Sequence, residues 1–139
     1  MVILLVQVLY DARTDVMELA PVYDCGSCLY PQADERIMET VLENNSEMNY
    51  RIYEIPTSAI MVHGKKIKYF DFISSLQNDD CNRALAKIVP RINMEKIAGI
   101  IDSAPFISDL QRRFYFAMLQ ARKSLILDYS LAKLEQSKW

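Results

Sequence analysis

Glycine is scarce in this sequence, and its scarcity excludes two large classes of nucleotide-binding site. Only three of the 139 residues are glycine, namely Gly26, Gly64 and Gly99. A Walker loop or a Rossmann fingerprint needs several glycines within a few residues, because the backbone must come close to a phosphate group. The three glycines are far apart, so the chain has no glycine-rich phosphate loop of either kind.

Cysteine, net charge and long apolar runs are also limited. Three cysteines form no disulfide-framework spacing, which favours a reducing, cytoplasmic setting. The net charge of −2 gives no general electrostatic case for nucleic-acid binding. No run reaches the roughly 18 apolar residues of a membrane span, and the start MVILLVQVLY lacks the basic region and cleavage site of a secretory signal. We therefore expect a cytoplasmic protein that binds neither nucleic acid nor a membrane.

The residues that are present predict a mainly α fold. The balance of 51% hydrophobic and 24% charged residues is typical of a globular core, and the length predicts a single domain over residues 1–139. Two β-branched, apolar runs, at 2–10 and 16–23, predict an N-terminal β-hairpin around DARTD. A second small hairpin is predicted near residues 58–68, around His63, which we interpret as a solvated turn residue. The remaining segments have mostly helical spacing.

Start and stop signals divide the helical part of the chain. Asn44-Asn45 is a plausible end of a first helix, whereas EMNYRIYEIPTS is ambiguous until Pro56 stops it. Asp79 or Asp80 can cap the next long helix, which Pro90 kinks or ends. The two helices that follow begin at candidate caps, which are Asn93 for the first and Ser108 or Asp109 for the second.

The last predicted helix is apolar on more than one side, which is typical of a helix at the centre of a core. One stripe of small and large apolar residues lies at helical spacing: Leu110, Phe114, Ala117, Ala121 and Leu125. Other apolar residues lie on other sides of this helix: Met118, Leu127, Leu131 and Leu134.

The stretch APVYDCGSCLYP, residues 20–31, has several interpretations. Cys25 and Cys28 have the Cys-x-x-Cys spacing of thiol-redox and zinc sites. A redox site is disfavoured because the next helix does not begin until about Ala33 and no βαβ pattern surrounds the motif. A zinc site is disfavoured because only a lone Cys81 and a lone His63 are left as further ligands. Small buried apolar side chains are the favoured interpretation of both cysteines.

Asp24 follows an apolar run and lies two residues before Gly26. One interpretation is an ordinary turn aspartate before a glycine. Another is a metal site, in which an apolar strand positions the Asp24 carboxylate and Gly26 lets the backbone turn close to a metal-bound phosphate. The Asp-x-Gly pattern alone does not decide between them.

The longer segment LAPVYDCGSCLYPQ resembles the metal-binding segment of HipA-like serine/threonine kinases, which carry Leu-Ala-Pro-x-Tyr-Asp-x-Gly-Ser in place of Asp-Phe-Gly. The resemblance continues through PTSAIMVHGKKIKYFDFI into the helical tail, over about residues 9–134. It implies a helix-rich C-terminal lobe after a short hairpin. It also implies that Asp24 binds the Mg²⁺ that bridges ATP phosphates, with Mg²⁺ and ATP as cofactors of the parent family. We expect this chain alone to bind neither of them tightly.

The resemblance further implies a catalytic loop, with an aspartate base and a Mg²⁺-binding asparagine, just before the first hairpin. Residues 1–8, MVILLVQV, contain no Asp, Asn or His, and no nucleotide-binding lobe fits within the 139 residues. We therefore expect the C-terminal lobe of a HipA-like kinase, without catalytic residues of its own and inactive alone.

Two other functions are left open by the sequence. One is a free-standing helical interaction or regulatory module that binds a partner kinase or, as in a toxin–antitoxin pair, an antitoxin. The other is a thiol-redox protein that uses Cys25 and Cys28. In addition, the uncovered N-terminal strands are expected to promote self-association, because free strand edges pair with one another.

Overall fold

The structure of the chain, a computed structural model, is mainly helical with two short β-hairpins, which confirms the predicted fold class. It describes residues 8–11, 13–19, 29–30, 33–55 and 57–137. Two compact units divide the chain, residues 1–33 and residues 34–139, and each is described by itself below. The single domain over residues 1–139 stays a prediction. No helix in the described part of the chain is long and apolar enough to cross a membrane.

The first unit contains the predicted N-terminal hairpin. Strands β1 (Val8–Asp11) and β2 (Val16–Leu19) pair antiparallel, with Val8 opposite Leu19 and Asp11 opposite Val16. Asp15 has a φ of 53° in the connecting turn, a conformation that aspartate tolerates better than most residues. The hairpin is confirmed over residues 8–19, and the rest of the two predicted runs lies outside the described residues.

Helices α1 (Glu35–Glu43) and α2 (Asn45–Tyr53) open the second unit. Asp34 caps α1, because its Oδ1 accepts the Ile37 N–H at 2.8 Å. Asn44 ends α1 and caps α2 through its Oδ1, which accepts the N–H groups of Ser46 at 2.9 Å and Glu47 at 3.3 Å. The predicted end at Asn44 is confirmed, and the ambiguous segment that follows is helical up to Tyr53.

The second hairpin is also confirmed. Strands β3 (Met61–Val62) and β4 (Lys65–Lys66) pair antiparallel around a two-residue turn. The turn residues His63 and Gly64 have φ angles of 49° and 76°, and two positive φ angles are typical of a type I′ turn. His63 is exposed in this turn, as predicted.

Helices α3 (Tyr69–Ser75) and α4 (Asp79–Ile88) follow, and one predicted cap is wrong. The cap of α4 is Asn78, whose Oδ1 accepts the Cys81 N–H at 2.8 Å. The predicted caps, Asp79 and Asp80, instead occupy the first helical turn, where their charge interacts favourably with the helix dipole. The prediction for Pro90 is confirmed, since α4 ends at Ile88 and Pro90 lies in a 3₁₀ turn directly after it.

Helices α5 (Met94–Ser103) and α6 (Asp109–Arg122) begin at the predicted caps. Asn93 Oδ1 accepts the Lys96 N–H at 2.9 Å. Ser108 and Gln111 form a capping box, in which Ser108 Oγ accepts the Gln111 N–H at 3.2 Å and Gln111 Oε1 accepts the Ser108 N–H at 2.7 Å. Local side-chain hydrogen bonds therefore determine where α5 and α6 begin.

The last predicted helix is continuous but not uniform. A π-helical segment, residues 123–128, joins α6 to α7 (Tyr129–Gln136). Lys123 Nζ donates to both carboxylate oxygens of Asp128, at 2.7 and 2.8 Å. These two residues are five apart, which matches the i→i+5 periodicity of a π-helix, so the ion pair stabilises this segment specifically.

The π-helical segment changes which side chains are buried. The buried positions recur every four residues: Phe114, Met118, Arg122, Ile126, Ser130 and Leu134. In a pure α-helix, residues four apart are offset by about 40° around the helix axis, so a line of such residues turns away from the core. A π-helical turn holds more residues, so it offsets residues four apart in the opposite direction and brings the line back toward the core. The predicted stripe is therefore wrong at Leu125, which is 36% exposed. The predicted central position is confirmed for α6, which packs against α1, α2 and α5.

A second apolar cluster joins α4 to α7. Leu85, Val89 and Leu134 are buried together. Partly buried side chains pack around them: Ile73, Leu76, Leu127 and Leu131. Lys133 Nζ donates to the Ser74 carbonyl at 2.8 Å and so ties α7 to the end of α3.

Ser130 gives a prediction whose sign is unusual for a buried position. Its side chain is fully buried, and its Oγ has no hydrogen-bond partner in the described part of the chain. Because a buried unpaired hydroxyl is destabilising and alanine is the better helix former, we expect Ser130→Ala to raise the free energy of unfolding by about 1 kcal/mol. Urea denaturation followed by circular dichroism measures the change.

Ser75 is the matched control for this substitution. Its Oγ donates to the Phe72 carbonyl at 2.8 Å and accepts the Gln77 N–H at 3.3 Å. Ser75→Ala should therefore lower the free energy of unfolding. A loss of stability in Ser130→Ala as large as in Ser75→Ala would contradict the prediction.

Candidate functional site

The residues that the sequence singled out most strongly are Asp24, Cys25 and Cys28, and all three lie outside the described residues. The described chain resumes on either side of them, at β2 and at Leu29-Tyr30. The metal-ligand role of Asp24 and the assignment of the two cysteines therefore stay predictions.

The other two candidate ligands, His63 and Cys81, lie in different elements. His63 is exposed in the β3–β4 turn, and Cys81 is a partly buried free thiol in the first turn of α4. Burial raises the pKa of the Cys81 thiol, which lowers its thiolate fraction and hence its reactivity. Among the described residues, no three His, Cys, Asp or Glu side chains lie close enough together to hold a metal ion.

A cavity of about 170 Å³ lies where the end of α2, the β3–β4 hairpin and the start of α3 meet. Lys68 Nζ donates to Glu54 Oε1 at 2.6 Å across its edge, and this hydrogen bond raises the pKa of Lys68. Ser58 is buried at the wall, where its Oγ accepts the Ile60 N–H at 2.9 Å. Lys66 adds a second ammonium group to the lining. The lining therefore carries two ammonium groups and one carboxylate, of which the Lys68 ammonium is already paired with Glu54.

Aromatic rings hold the wall of this cavity in place. Tyr53 meets Phe70 edge to face, with ring centroids 5.0 Å apart and an angle of 80° between the ring planes. Phe70 also contacts Tyr129 at 5.6 Å. These contacts link α2, α3 and α7.

A more polar groove of about 330 Å³ lies between α1 and α2. Its charged side chains are of both signs: Asp34, Arg36, Glu47 and Arg51. Arg51 Nη1 donates to Glu47 Oε2 at 2.6 Å and to the Glu47 carbonyl at 3.2 Å. Because the acids lie beside the arginines, the groove has no strong preference for an anion or for a cation.

The third cavity is apolar and has a volume of about 160 Å³. It lies between α3, α4 and the π-helical segment and is lined by Ile73, Leu85, Ile88 and Leu127, with Cys81 among them. Its walls offer shape and apolar surface, and the Cys81 thiol is the one titratable group among its lining residues.

Sequence reasoning missed the Glu54–Lys68 pair. Lys65, Lys66 and Lys68 are all exposed, as the lysines of a solvated surface are. The partner carboxylate is 14 residues away in the chain, on a different element. No local pattern indicates such a pair, because the two side chains meet only where the end of α2 and the start of α3 come together in the fold.

Comparisons with known proteins place the chain beside a protein kinase. No protein-family model matches it. It is 49% identical over 112 residues to the serine/threonine-protein kinase CtkA of Helicobacter pylori strain J99. The match covers 80% of this chain and 34% of that protein, so the chain spans about a third of the length of this relative.

The fold gives the same result as the sequence. The structure matches the crystal structure of a proinflammatory kinase CtkA from Helicobacter pylori with a TM-score of 0.80 and 45% identity. This match covers 86% of the present chain and 43% of the other. The predicted resemblance to a serine/threonine kinase is therefore confirmed, and the chain is a homologue of part of the serine/threonine-protein kinase CtkA.

Proposed function

We propose that the chain is the helix-rich C-terminal lobe of a HipA-like serine/threonine protein kinase and that it carries the Asp-x-Gly segment that binds Mg²⁺. The observation that supports this most directly is the match to CtkA, because nearly half of the aligned residues are identical and the fold is shared over most of this chain. The match spans only part of CtkA, so the proposal does not extend the activity of a whole kinase to these residues alone.

Asp24 is the proposed metal ligand. An aspartate carboxylate is the type of oxygen donor that Mg²⁺ takes in kinases, where one or two carboxylates and the substrate phosphates hold the ion. The donor chemistry of Asp24 therefore fits Mg²⁺. When bound, the ion would neutralise phosphate charge, and the contribution of this chain would be to hold it through the Asp24 carboxylate.

Neither residues 1–8 nor the part of the chain that the structure describes offers the other groups of a phosphoryl-transfer site. Catalysis of this reaction depends on positioning and on charge stabilisation by several groups together. Residues 1–8 contain no candidate base or asparagine ligand, and the described residues contain no metal-binding cluster. We propose that these 139 residues alone do not transfer phosphate.

The direct test is incubation of the purified chain with radiolabelled ATP and Mg²⁺, with a generic substrate protein present. We expect no labelling of the chain or of the substrate above background, because loss of a base and of the nucleotide-binding groups costs orders of magnitude in rate. Labelling that depends on Asp24, and so disappears in Asp24→Asn but not in the surface control Asp79→Asn, would contradict the proposed inactivity.

Direct binding of the nucleotide tests the role of Asp24 separately. Calorimetric titration with ATP should show only weak binding that Mg²⁺ strengthens, and Asp24→Asn should remove the effect of Mg²⁺. If ATP binds equally well with and without Mg²⁺, Asp24 is not a metal ligand in this chain.

A second candidate function is an interaction or regulatory module that binds a partner kinase or an antitoxin. Large apolar side chains on the surface of the second unit favour it, in particular Ile100 and Phe106. Self-association through the N-terminal strands and a cytoplasmic location are further proposals that rest on the sequence alone.

A further inference from the structure

Phe106 occupies a position that neither its backbone nor its surroundings explain. It follows Pro105 in the turn between α5 and α6, and its φ is 62°. A turn residue with positive φ after a proline is usually glycine, and a bulky residue there costs roughly 1–2 kcal/mol. The side chain is also 102% exposed, so no packing within the chain offsets this cost.

Gly99 is the second unexplained residue. It lies in the interior of α5, where glycine is less favourable than alanine by about 1 kcal/mol. A Cβ atom built at Gly99 would meet nothing within 4 Å, so the packing of this chain does not require a glycine there. A bare backbone on a helix surface lets another backbone approach closely.

Both residues belong to one surface, which we call the α5 face. At about 100° per residue, the exposed side of α5 is centred close to Gly99. Its members are all exposed: Glu95, Lys96, Gly99, Ile100, Asp102 and Ser103. Ile100 is 69% exposed, and Phe106 extends the apolar part of the face beyond the end of the helix.

The α5 face is held rigidly by the next helix. The Arg112 guanidinium donates to the Ile101 carbonyl at 3.3 Å and to the Ala104 carbonyl at 3.1 Å, and so secures the end of α5. The capping box of Ser108 and Gln111 fixes the residues directly after Phe106. The surface is therefore preformed, which lowers the entropy cost of binding.

We propose that the α5 face binds the α5 face of a second copy of this chain, in an antiparallel pair with a two-fold axis through Gly99. In a two-fold interface the same patch must complement itself. An antiparallel pair centred on Gly99 places Lys96 opposite Asp102 of the second copy, and Asp102 opposite the second Lys96. A parallel pair in register would instead place like charges together, so the charges select the antiparallel arrangement.

The apolar residues complete this arrangement. With glycine at the crossing point, the two helices can approach closely, and Ile100 packs beside the contact. In the antiparallel pair, the C-terminal end of one α5 lies beside the N-terminal end of α5 in the second copy. Phe106, just beyond that C-terminal end, therefore lies near Met94 of the second copy, which is partly buried in each chain. A methionine sulfur and an aromatic ring attract each other at such a contact.

The size of the face predicts a weak association. A ten-residue helix is about 15 Å long, so the pair buries less than the roughly 1,200 Å² of a standard interface. We therefore expect a dimer that forms in the micromolar range and dissociates on dilution.

Two substitutions test the shape of the interface without endangering the fold. Gly99→Ala adds a methyl group at the crossing point, and Phe106→Gly removes the exposed ring. Both should raise the thermal stability of the monomer, since each removes an unfavourable local feature. Each should nevertheless weaken dimerisation by about tenfold or more in sedimentation equilibrium, which corresponds to about 1.4 kcal/mol. Met61→Ser, at an exposed apolar residue of β3, is the control that should leave dimerisation unchanged.

Charge reversal tests the antiparallel arrangement. Lys96→Asp alone and Asp102→Lys alone should each weaken dimerisation, whereas the double variant should restore it. A mixture of the two single variants should also associate, because each chain then meets the opposite charge on the other. Lys87→Asp, at an exposed lysine of α4, is the charge control.

Three results would overturn the proposal. The first is a monomeric mass at every concentration up to the high micromolar range. The second is association that persists in Gly99→Ala and Phe106→Gly, as pairing through the N-terminal strands would. The third is a loss of dimerisation in both charge-reversal variants that neither the double variant nor the mixture restores.

Discussion

Replacing Phe114 with alanine is expected to lower the free energy of unfolding by about 3–5 kcal/mol. The Phe114 side chain is 0% exposed, in the helix that packs against α1, α2 and α5. Truncation to alanine loses the free energy gained by burying the ring. It also leaves a cavity, because the surrounding helices relax only in part. Its edge-to-face contact with Tyr115, with centroids 5.9 Å apart, would also be lost.

The chain supplies its own control for this substitution. Phe106→Ala makes the same chemical change at the fully exposed phenylalanine, where no packing is lost. Urea denaturation at a concentration where the chain is monomeric should show a much lower midpoint for Phe114→Ala and an unchanged or higher midpoint for Phe106→Ala. Equal losses in the two variants would show that Phe114 is not a central packing residue.

The helix caps were predictable from the sequence because capping is local. Asn93 and Ser108 each bond an N–H group three residues ahead, so the side chain and its partner are close in the chain as well as in space. The cap of α4 was misplaced because three consecutive residues, Asn78 to Asp80, all have suitable side chains. Local chemistry does not distinguish between neighbours that can all accept the same kind of hydrogen bond.

The line of buried residues along α6, the π-helical segment and α7 was not predictable from apolar periodicity. Two of its members, Arg122 and Ser130, are polar, so a search for apolar residues passes over them. The π-helical segment then changes the period from that point onward. The spacing of five between Lys123 and Asp128 was the available signal, because these opposite charges meet on a π-helix and not on an α-helix.

The candidate sites also differ in whether the sequence alone could indicate them. Asp24 was found through a resemblance in contiguous sequence, and the comparison with CtkA confirms the kinase relationship but not the role of this residue. The α5 face could not be found from the sequence, because Gly99 and Phe106 are unusual only once their exposure and backbone angles are known. A glycine inside a helical pattern is a weak signal until its surroundings show that nothing in the chain requires it.

Replacing Val41 with aspartate is expected to unfold the second unit or to lower its free energy of unfolding by about 4 kcal/mol or more. Val41 is 1% exposed, in the helix α1 that packs against α6. A carboxylate there must either stay charged in an apolar contact or take up a proton, and both alternatives cost free energy that valine does not. The loss should be smaller at low pH, where the carboxylate is protonated at less cost.

The control lies on the same helix, four residues earlier. Ile37 is 41% exposed in the first turn of α1, where an added negative charge interacts favourably with the helix dipole. Ile37→Asp should therefore change the free energy of unfolding by less than about 1 kcal/mol. Circular dichroism and urea denaturation of both variants, at neutral and at low pH, measure the difference. If Val41→Asp is as stable as Ile37→Asp, α1 does not pack through Val41, and the contact between α1 and α6 is not part of the core.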